Sequence, residues 1–412
     1  MPGRRAAALL GPRQVGKTTL LLQLVDALLE QGWPPGNITF FDFSDERLVL
    51  PASPREVAAI PPVGLSTEYP RVYLFDEIQN APDWQRWLKS AVDESRRAAT
   101  PGSRFIVTGS AAASLRRGGV QSGQGRWDEI PIEGLTLAEF LRLGSPGQED
   151  APPTSIRDRQ AYERYREIGG FPEHLSPLVS TREARQRIRE DIADRAILRD
   201  LLHTGLDVER LRRLFVYLVN GSGNTWSQAK RARDLDANPK SVAEWLSALE
   251  DTRLIVKLDR DRHARARARA QLRPQPKVYA SDHGLVTAFS PHPNPFEDPD
   301  VRARVFEAAV FRHLREVARA QGGVLSYGRF DEDLEIDFIV RYADHSVGIE
   351  VTSSTEARPR KLARASQAMR EAGIDRKLLV HGGPIFEMTG DIKLVPLPEF
   401  LLAPERFAIG GK

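Results

Sequence analysis

Gly11-Pro12-Arg13-Gln14-Val15-Gly16-Lys17-Thr18 fits the pattern G-x-x-x-x-G-K-[ST]. The glycines let the chain wrap so that backbone N–H groups point inward. A helix starting near Lys17 aims the positive end of its dipole at the same point. An anion fits there, above all the phosphates of ATP. Lys17 is expected to reach the β- and γ-phosphates and Thr18 to ligate Mg²⁺. The expected ATP-binding set is Gly11, Pro12, Arg13, Gln14, Val15, Gly16, Lys17, Thr18 and Thr19. On either side the context agrees. Residues 6–10 form an apolar run too short for a helix. Residues 17–29 carry Leu20, Leu21, Leu24, Ala27 and Leu28 at helical spacing.

Further out, strand candidates lie at 38–43, 72–75, 105–107 and 128–132, with a helical stretch at 83–98. Strands alternating with helices predict a parallel α/β sheet with its site at the strand C-termini. Val72-Tyr73-Leu74-Phe75-Asp76-Glu77 is an apolar strand that ends in two carboxylates. Asp76 is expected to hold Mg²⁺ through water, and Glu77 to polarise the attacking water. Thr108-Gly109-Ser110 ends the next strand, so Ser110 is expected to face the γ-phosphate and position water. Arg126, just before the last strand, is expected to neutralise transition-state charge, within the chain or across a subunit interface of a homo-oligomer.

Composition excludes several classes. The 412 residues are 41% hydrophobic and 28% charged, which rules out wholesale disorder and collagen-like chains. No apolar run approaches a membrane span. The start, Met1-Pro2-Gly3-Arg4-Arg5, enters the motif at once, so no signal peptide is expected. With no Cys, disulfides, thiol catalysis and Cys-based metal sites are excluded. A reducing cytoplasmic setting without a membrane partner is the expectation. The net charge is only +3, yet 10 of the 59 Lys+Arg are Lys and the rest Arg. The basic part is the middle of the chain.

These residues resemble a known group. The P-loop, Asp76-Glu77-Ile78-Gln79, Thr108-Gly109-Ser110 and Gly125-Arg126 look like the AAA+ ATPases. More closely, they resemble a prokaryotic subfamily of ATP-binding proteins that joins an AAA+ core to a C-terminal domain of unknown function. The resemblance continues through Gly169-Gly170-Phe171-Pro172-Glu173 and Lys277-Val278-Tyr279…Asp282-His283-Gly284-Leu285. It implies ATP with Mg²⁺ as ligand. Members of the subfamily carry some tens of residues before the P-loop that help to form the adenine pocket. Here either adenine is held differently or the start codon lies upstream.

The expected organisation is an AAA+ core over 1–144, a linker and helical lid over 145–205, a winged helix over 206–289 and a nuclease-like α/β domain over 290–412. The winged helix is read from the face Leu211, Leu214, Phe215, Leu218, the helix start Asn238-Pro239 and two strands, 254–258 and 277–280, with an arm between them. Arg265, Arg267 and Arg269 alternate with Ala in that arm, which puts three guanidiniums on one face toward DNA phosphates. Lys240 and Ser241 are expected near the major groove.

In the last part, 335–340 and 347–352 flank a polar turn at 343–346. Folding them as a hairpin about that turn sets Asp337 near Thr352, with Glu350 on the same face and Glu307 available from a helix. Three converging carboxylates have the form of a weak divalent-metal site. The arrangement resembles the PD-(D/E)xK nuclease fold, but Thr352 stands in the place of its Lys. Lys361 is the next Lys in the chain. The function expected overall is an ATP-hydrolysing remodeller of DNA or protein. The alternatives are a nucleotide-dependent binding switch with little turnover and an ATP-regulated nuclease.

Overall fold

The computed structural model describes residues 5–45, 53–98, 102–109, 125–144, 159–176, 178–197, 201, 205–262, 275–330, 335–356 and 359–410. Ser110 and the arm residues Arg265, Arg267 and Arg269 lie outside them. The chain forms two compact units, Met1–Glu133 with Asp251–Arg253, and Gly134–Glu250 with Leu254–Lys412.

The first unit is built on a five-stranded parallel sheet of β1 (Ala6–Leu10), β2 (Ile38–Asp42), β3 (Val72–Asp76), β4 (Arg104–Gly109) and β5 (Trp127–Pro131), in the order β2-β3-β4-β1-β5. Its helices are α1 (Lys17–Glu30), α2 (Pro54–Ala59) and α3 (Trp84–Arg97). Side chains of β3 alternate between faces, as a strand buried on both sides requires. Val72 and Leu74 pack with Leu21 and Leu28 of α1. Tyr73 and Phe75 pack with Leu88 and Val92 of α3. This two-sided burial fixes where β3 stops and so where Asp76 and Glu77 emerge.

In the second unit the helices are α4 (Leu137–Leu143), α5 (Arg159–Ile168), α6 (Thr181–Arg187), α7 (Val208–Asn220), α8 (Gln228–Asp234) and α9 (Pro239–Asp251). A two-stranded antiparallel hairpin follows, β6 (Ile255–Leu258) with β7 (Lys277–Ala280). The Asn238 carboxamide oxygen accepts from the Lys240 N–H at 2.8 Å and caps α9. After α10 (His283–Ala288) and α11 (Pro299–Ala320) comes a six-stranded mixed sheet. Its strands are β8 (Val324–Arg329), β9 (Glu335–Arg341), β10 (Ser346–Thr352), β11 (Arg376–His381), β12 (Glu387–Thr389) and β13 (Ile392–Pro396), in the order β12-β13-β11-β10-β9-β8. Helix α11 packs against β8, β9 and β10, and α12 (Pro359–Glu371) against β9 and β11.

The β9–β10 hairpin differs from the expectation by two residues. Ile349 pairs with Phe338 and Gly348 with Ile339, a register that continues to Glu350 opposite Asp337. The turn has the expected size but lies one residue earlier, over 342–345 in place of 343–346. The Tyr342 N–H bonds the His345 carbonyl at 2.9 Å, and the two rings stack. A shift of two preserves faces, so Asp337 and Glu350 still share one.

A buried junction joins α4, α5, α10 and α11 within this unit. The Asp282 carboxylate accepts from the N–H groups of Gly170 at 3.0 Å and Gly284 at 2.7 Å. His313, fully buried, accepts the Leu137 N–H at Nε2 (3.2 Å), which leaves Nδ1–H to bond the Ala309 carbonyl at 2.8 Å. Both ring nitrogens are thus committed to a neutral ring. Burial, and secondly the charge of Arg312, hold the His313 pKa well below its ordinary value of 6.5. The unfolded chain takes up a proton below about pH 6.5 that the fold refuses, so this contribution is complete above that pH and is lost as pH falls. The carboxylates Glu307 and Glu350, raised in the fold, titrate in the opposite sense, so a variant pair is needed to isolate His313. His313→Gln is expected to cost less at pH 5.5 than at pH 7.5, by on the order of 1 kcal/mol. Urea midpoints of both proteins check this, and a pH-independent difference would refute it.

Candidate functional site

The P-loop leaves β1 and enters α1. Gln14 (φ 60°) and Gly16 (φ 92°) are left-handed, and Gly16 caps the helix with no side-chain hydrogen bond. A Cβ on Gly11 would lie 2.1 Å from the Ile132 carbonyl oxygen, so only glycine fits there. Lys17 is buried, 5% exposed, although a charged side chain is rarely so placed without partners. Its ammonium donates to the carbonyls of Gly11 at 3.1 Å and Pro12 at 2.9 Å and lies 3.7 Å from Glu77 Oε1.

Parallel pairing of β1, β4 and β3 brings the carboxylates to this loop. The Thr18 hydroxyl donates to Asp76 Oδ2 at 2.5 Å. The Thr108 hydroxyl donates to Asp76 Oδ1 and accepts the Glu77 N–H at 2.9 Å. Glu77 is left-handed (φ 46°), and the Gln79 carboxamide donates to its Oε2. Burial pushes the Asp76 pKa up. Hydrogen bonds from Thr108 and Thr18 oppose the rise, and the charges of Glu77 and Asp42 add to it. Lys17, Thr18, Asp76 and Glu77 therefore converge, as their motifs require. Thr108 and Gln79 join them without having been assigned roles. The strand-end Thr-Gly-Ser and the Gln two residues after Glu77 were the available signals.

Arg126 does not join this group. The parallel register pairs Ala6 with Trp127, so Arg126 stands at the entry end of the sheet, whereas the P-loop leaves the exit end. A strand length, about 16 Å, separates the two ends. Its guanidinium instead holds Asp93 of α3, with Nη2 to Oδ2 at 3.2 Å, and this bond keeps the Asp93 carboxyl below its ordinary range. A residue that precedes a strand belongs to the entry edge, which corrects the expectation of a role within the chain. Arg126→Ala is expected to change ATP hydrolysis by dilute protein less than about threefold, since it removes only a half-buried ion pair at the entry edge, away from the P-loop. A loss beyond tenfold in a phosphate-release assay would contradict this placement.

The second carboxylate group is also assembled, with an addition. Glu307 (α11), Glu335 and Asp337 (β9) surround the ammonium of Lys277 from β7, at 3.3, 2.6 and 3.6 Å. The Tyr279 hydroxyl donates to Glu307 Oε1 at 2.6 Å. The Asp337 N–H bonds Glu350 Oε1 at 3.2 Å, and the Val351 N–H bonds Asp337 Oδ2 at 2.9 Å. Lys361 of α12 reaches back, with Nζ 2.8 Å from the Val351 carbonyl and 4.0 Å from Glu350 Oε2. Burial pushes the Glu350 carboxyl well above its ordinary value, and the Asp337 charge adds to this. Burial alone would lower the Lys277 pKa, but the surrounding Tyr279, Glu307, Asp337 and Glu335 raise it well above the usual value. Among the described residues no group of three or more Asp, Glu or His is placed to hold a metal ion. The trio expected to hold a metal, Glu307, Asp337 and Glu350, is brought together, and the cation that faces Glu307 and Asp337 is the Lys277 ammonium.

Among the described residues no helix is long and apolar enough to cross a membrane. A family model described as "AAA domain" matches residues 3–141. Two models for domains of unknown function, DUF8612 and DUF4143, match 159–295 and 302–400. An uncharacterized protein of Haemophilus influenzae is 24% identical over 349 residues, 83% of this chain and 80% of that protein. Uncharacterized protein MJ1544 of Methanocaldococcus jannaschii is 24% identical over 339 residues, 80% of this chain and 70% of that protein. Among solved structures, the Aeropyrum pernix ORC1 protein in complex with DNA has 15% identity and a TM-score of 0.30, and covers 72% of this chain and 87% of its own. A point variant of Thermotoga maritima RuvB has 19% identity and the same TM-score of 0.30, and covers 63% of this chain and 82% of its own. The five-stranded parallel sheet, the P-loop at its exit edge and the family match agree: residues 3–141 form an AAA domain, and two domains of unknown function follow.

Proposed function

We propose that the chain binds ATP with Mg²⁺ at the P-loop and hydrolyses it. The observation that carries this is the convergence of Lys17, Thr18, Asp76, Glu77 and Thr108 at one edge of the parallel sheet. Thr18 and Asp76 offer a hydroxyl and a carboxylate, the hard oxygens that Mg²⁺ prefers. They are already hydrogen-bonded to each other, so an ion between them costs little rearrangement. When bound, Mg²⁺ neutralises phosphate charge. The protein's own part is positional. The loop from Gly11 to Thr19 wraps the phosphates, and Lys17 exchanges loop carbonyls for phosphate oxygens. Thr108 holds Asp76 and the Glu77 backbone in register. The Glu77 carboxylate takes a proton from the attacking water.

Steady-state phosphate release with and without Mg²⁺ and duplex DNA tests this reading. Mg²⁺-dependent turnover supports it. Tight ATP binding without turnover would favour the switch instead. Coupling to DNA is the finer proposal. It rests on Arg265, Arg267 and Arg269 alternating along the arm and on the three helices α7, α8 and α9 followed by the β6–β7 hairpin.

A further inference from the structure

The carboxylate group on β9 and α11 has the composition of a divalent-metal centre but not the vacancy of one. An ammonium has three N–H donors, and three carboxylates, Glu335, Glu307 and Asp337, stand around Lys277 Nζ at 2.6, 3.3 and 3.6 Å. A divalent ion would draw its oxygens to about 2.0–2.6 Å. Other donors already engage the oxygens that such an ion needs. Tyr279 donates to Glu307 Oε1, the Val351 N–H to Asp337 Oδ2, and the Asp337 N–H to Glu350 Oε1. The Lys277 side chain is only 4% exposed, and its ammonium lies 5.5 Å from the Tyr327 ring centroid. Gly223 (φ 89°) covers the group so closely that a Cβ there would lie 2.9 Å from Glu307 Oε1.

We propose that Lys277 is the resident cation of this site: its ammonium takes the position that a divalent ion would occupy, and the carboxylates are its socket. Lys277 comes from the β6–β7 hairpin, whereas the socket belongs to the C-terminal sheet and α11. The site therefore joins two parts of the chain. Backbone pairing follows the same junction, with the Tyr327 N–H on the Asp259 carbonyl at 3.1 Å and the Asp261 N–H on the Tyr327 carbonyl at 2.8 Å. The consequence is chemical. With the centre filled by Lys277, these carboxylates neither hold a metal nor generate a metal-bound nucleophile, so the C-terminal domain makes no metal-dependent cut in a phosphodiester. Removing the ammonium should uncover a latent divalent-cation site.

Mn²⁺ binding to the nucleotide-free full chain, followed by electron paramagnetic resonance, tests this. Wild type and Asp337→Asn are expected to bind equal Mn²⁺, because binding at the P-loop edge is common to both. Lys277→Ala is expected to gain about one Mn²⁺ per chain, and to lose it again when combined with Asp337→Asn. Mn²⁺ should also raise the melting temperature of Lys277→Ala more than that of wild type. Two results would overturn the proposal. One is a wild-type Mn²⁺ that disappears in Asp337→Asn. The other is a folded Lys277→Ala that binds no more Mn²⁺ than wild type. If Lys277→Ala does not fold, the comparison of wild type with Asp337→Asn still decides.

Discussion

Glu77→Gln is expected to keep ATP binding and to lose hydrolysis by about 10²–10⁴-fold, the usual contribution of a positioned general base. Lys17→Ala is expected to abolish binding. The two side chains sit 3.7 Å apart yet act on different things. In the proposed reaction Lys17 brings a buried positive charge to phosphate oxygens. Glu77 acts only on water, and Gln has nearly its shape without the charge that accepts a proton. Gln79 already holds the Glu77 side chain, and a carboxamide at 77 can keep that contact, so the loop should stay in place. Fluorescent-nucleotide titration separates binding from phosphate release. Hydrolysis by Glu77→Gln at the unmutated rate would remove Glu77 from its role. Binding by Lys17→Ala with unchanged affinity would remove Lys17.

Asp282→Ala is expected to destabilise the second unit by roughly 3 kcal/mol, because it strips the side-chain acceptor from two buried N–H groups, those of Gly170 and Gly284. Gly169→Ala strikes the same junction from the other side. Gly169 is left-handed (φ 71°), and a Cβ there would lie 1.8 Å from Asp282 Oδ1. Strain and overlap together should cost about 2–4 kcal/mol. The two substitutions share a partner, so the double variant should cost less than the sum of the singles. Urea unfolding of the four proteins gives the coupling. Strict additivity would mean that Asp282 and Gly169 do not meet as described.

This junction shows what a linear reading can and cannot carry. Gly169-Gly170 and Asp282-His283-Gly284 stood out as two stretches of a family resemblance, with no reason for either. Folding supplies the reason, since the carboxylate of one caps the backbone of the other. Nothing in the local residue types announces a contact between positions more than a hundred residues apart.

The P-loop, the strand ending in Asp76-Glu77 and the alternating α/β core were legible because their signals are local. A glycine turn needs particular residues at fixed spacing, and a doubly buried strand needs an unbroken apolar run. The hairpin Asp337–Glu350 was legible as a shared face and not as a register, because the face follows from period two while the register depends on which four residues form the turn. Arg126 was legible as the residue before the last strand, but its pairing with Asp93 of α3 was not, because a one-dimensional motif does not say what packs at that edge of the sheet. Lys277 could be seen as a residue but not as the cation of the carboxylate group. Its side chain arrives from β7, across thirty and more residues of chain, at a point defined by α11, β9 and β10. Short-range patterning therefore determined the P-loop, the Asp76-Glu77 strand end and the AAA-type core. The filling of the C-terminal site was decided by tertiary structure alone, because three carboxylates accept either a divalent ion or an ammonium, and only packing determines which cation reaches them first.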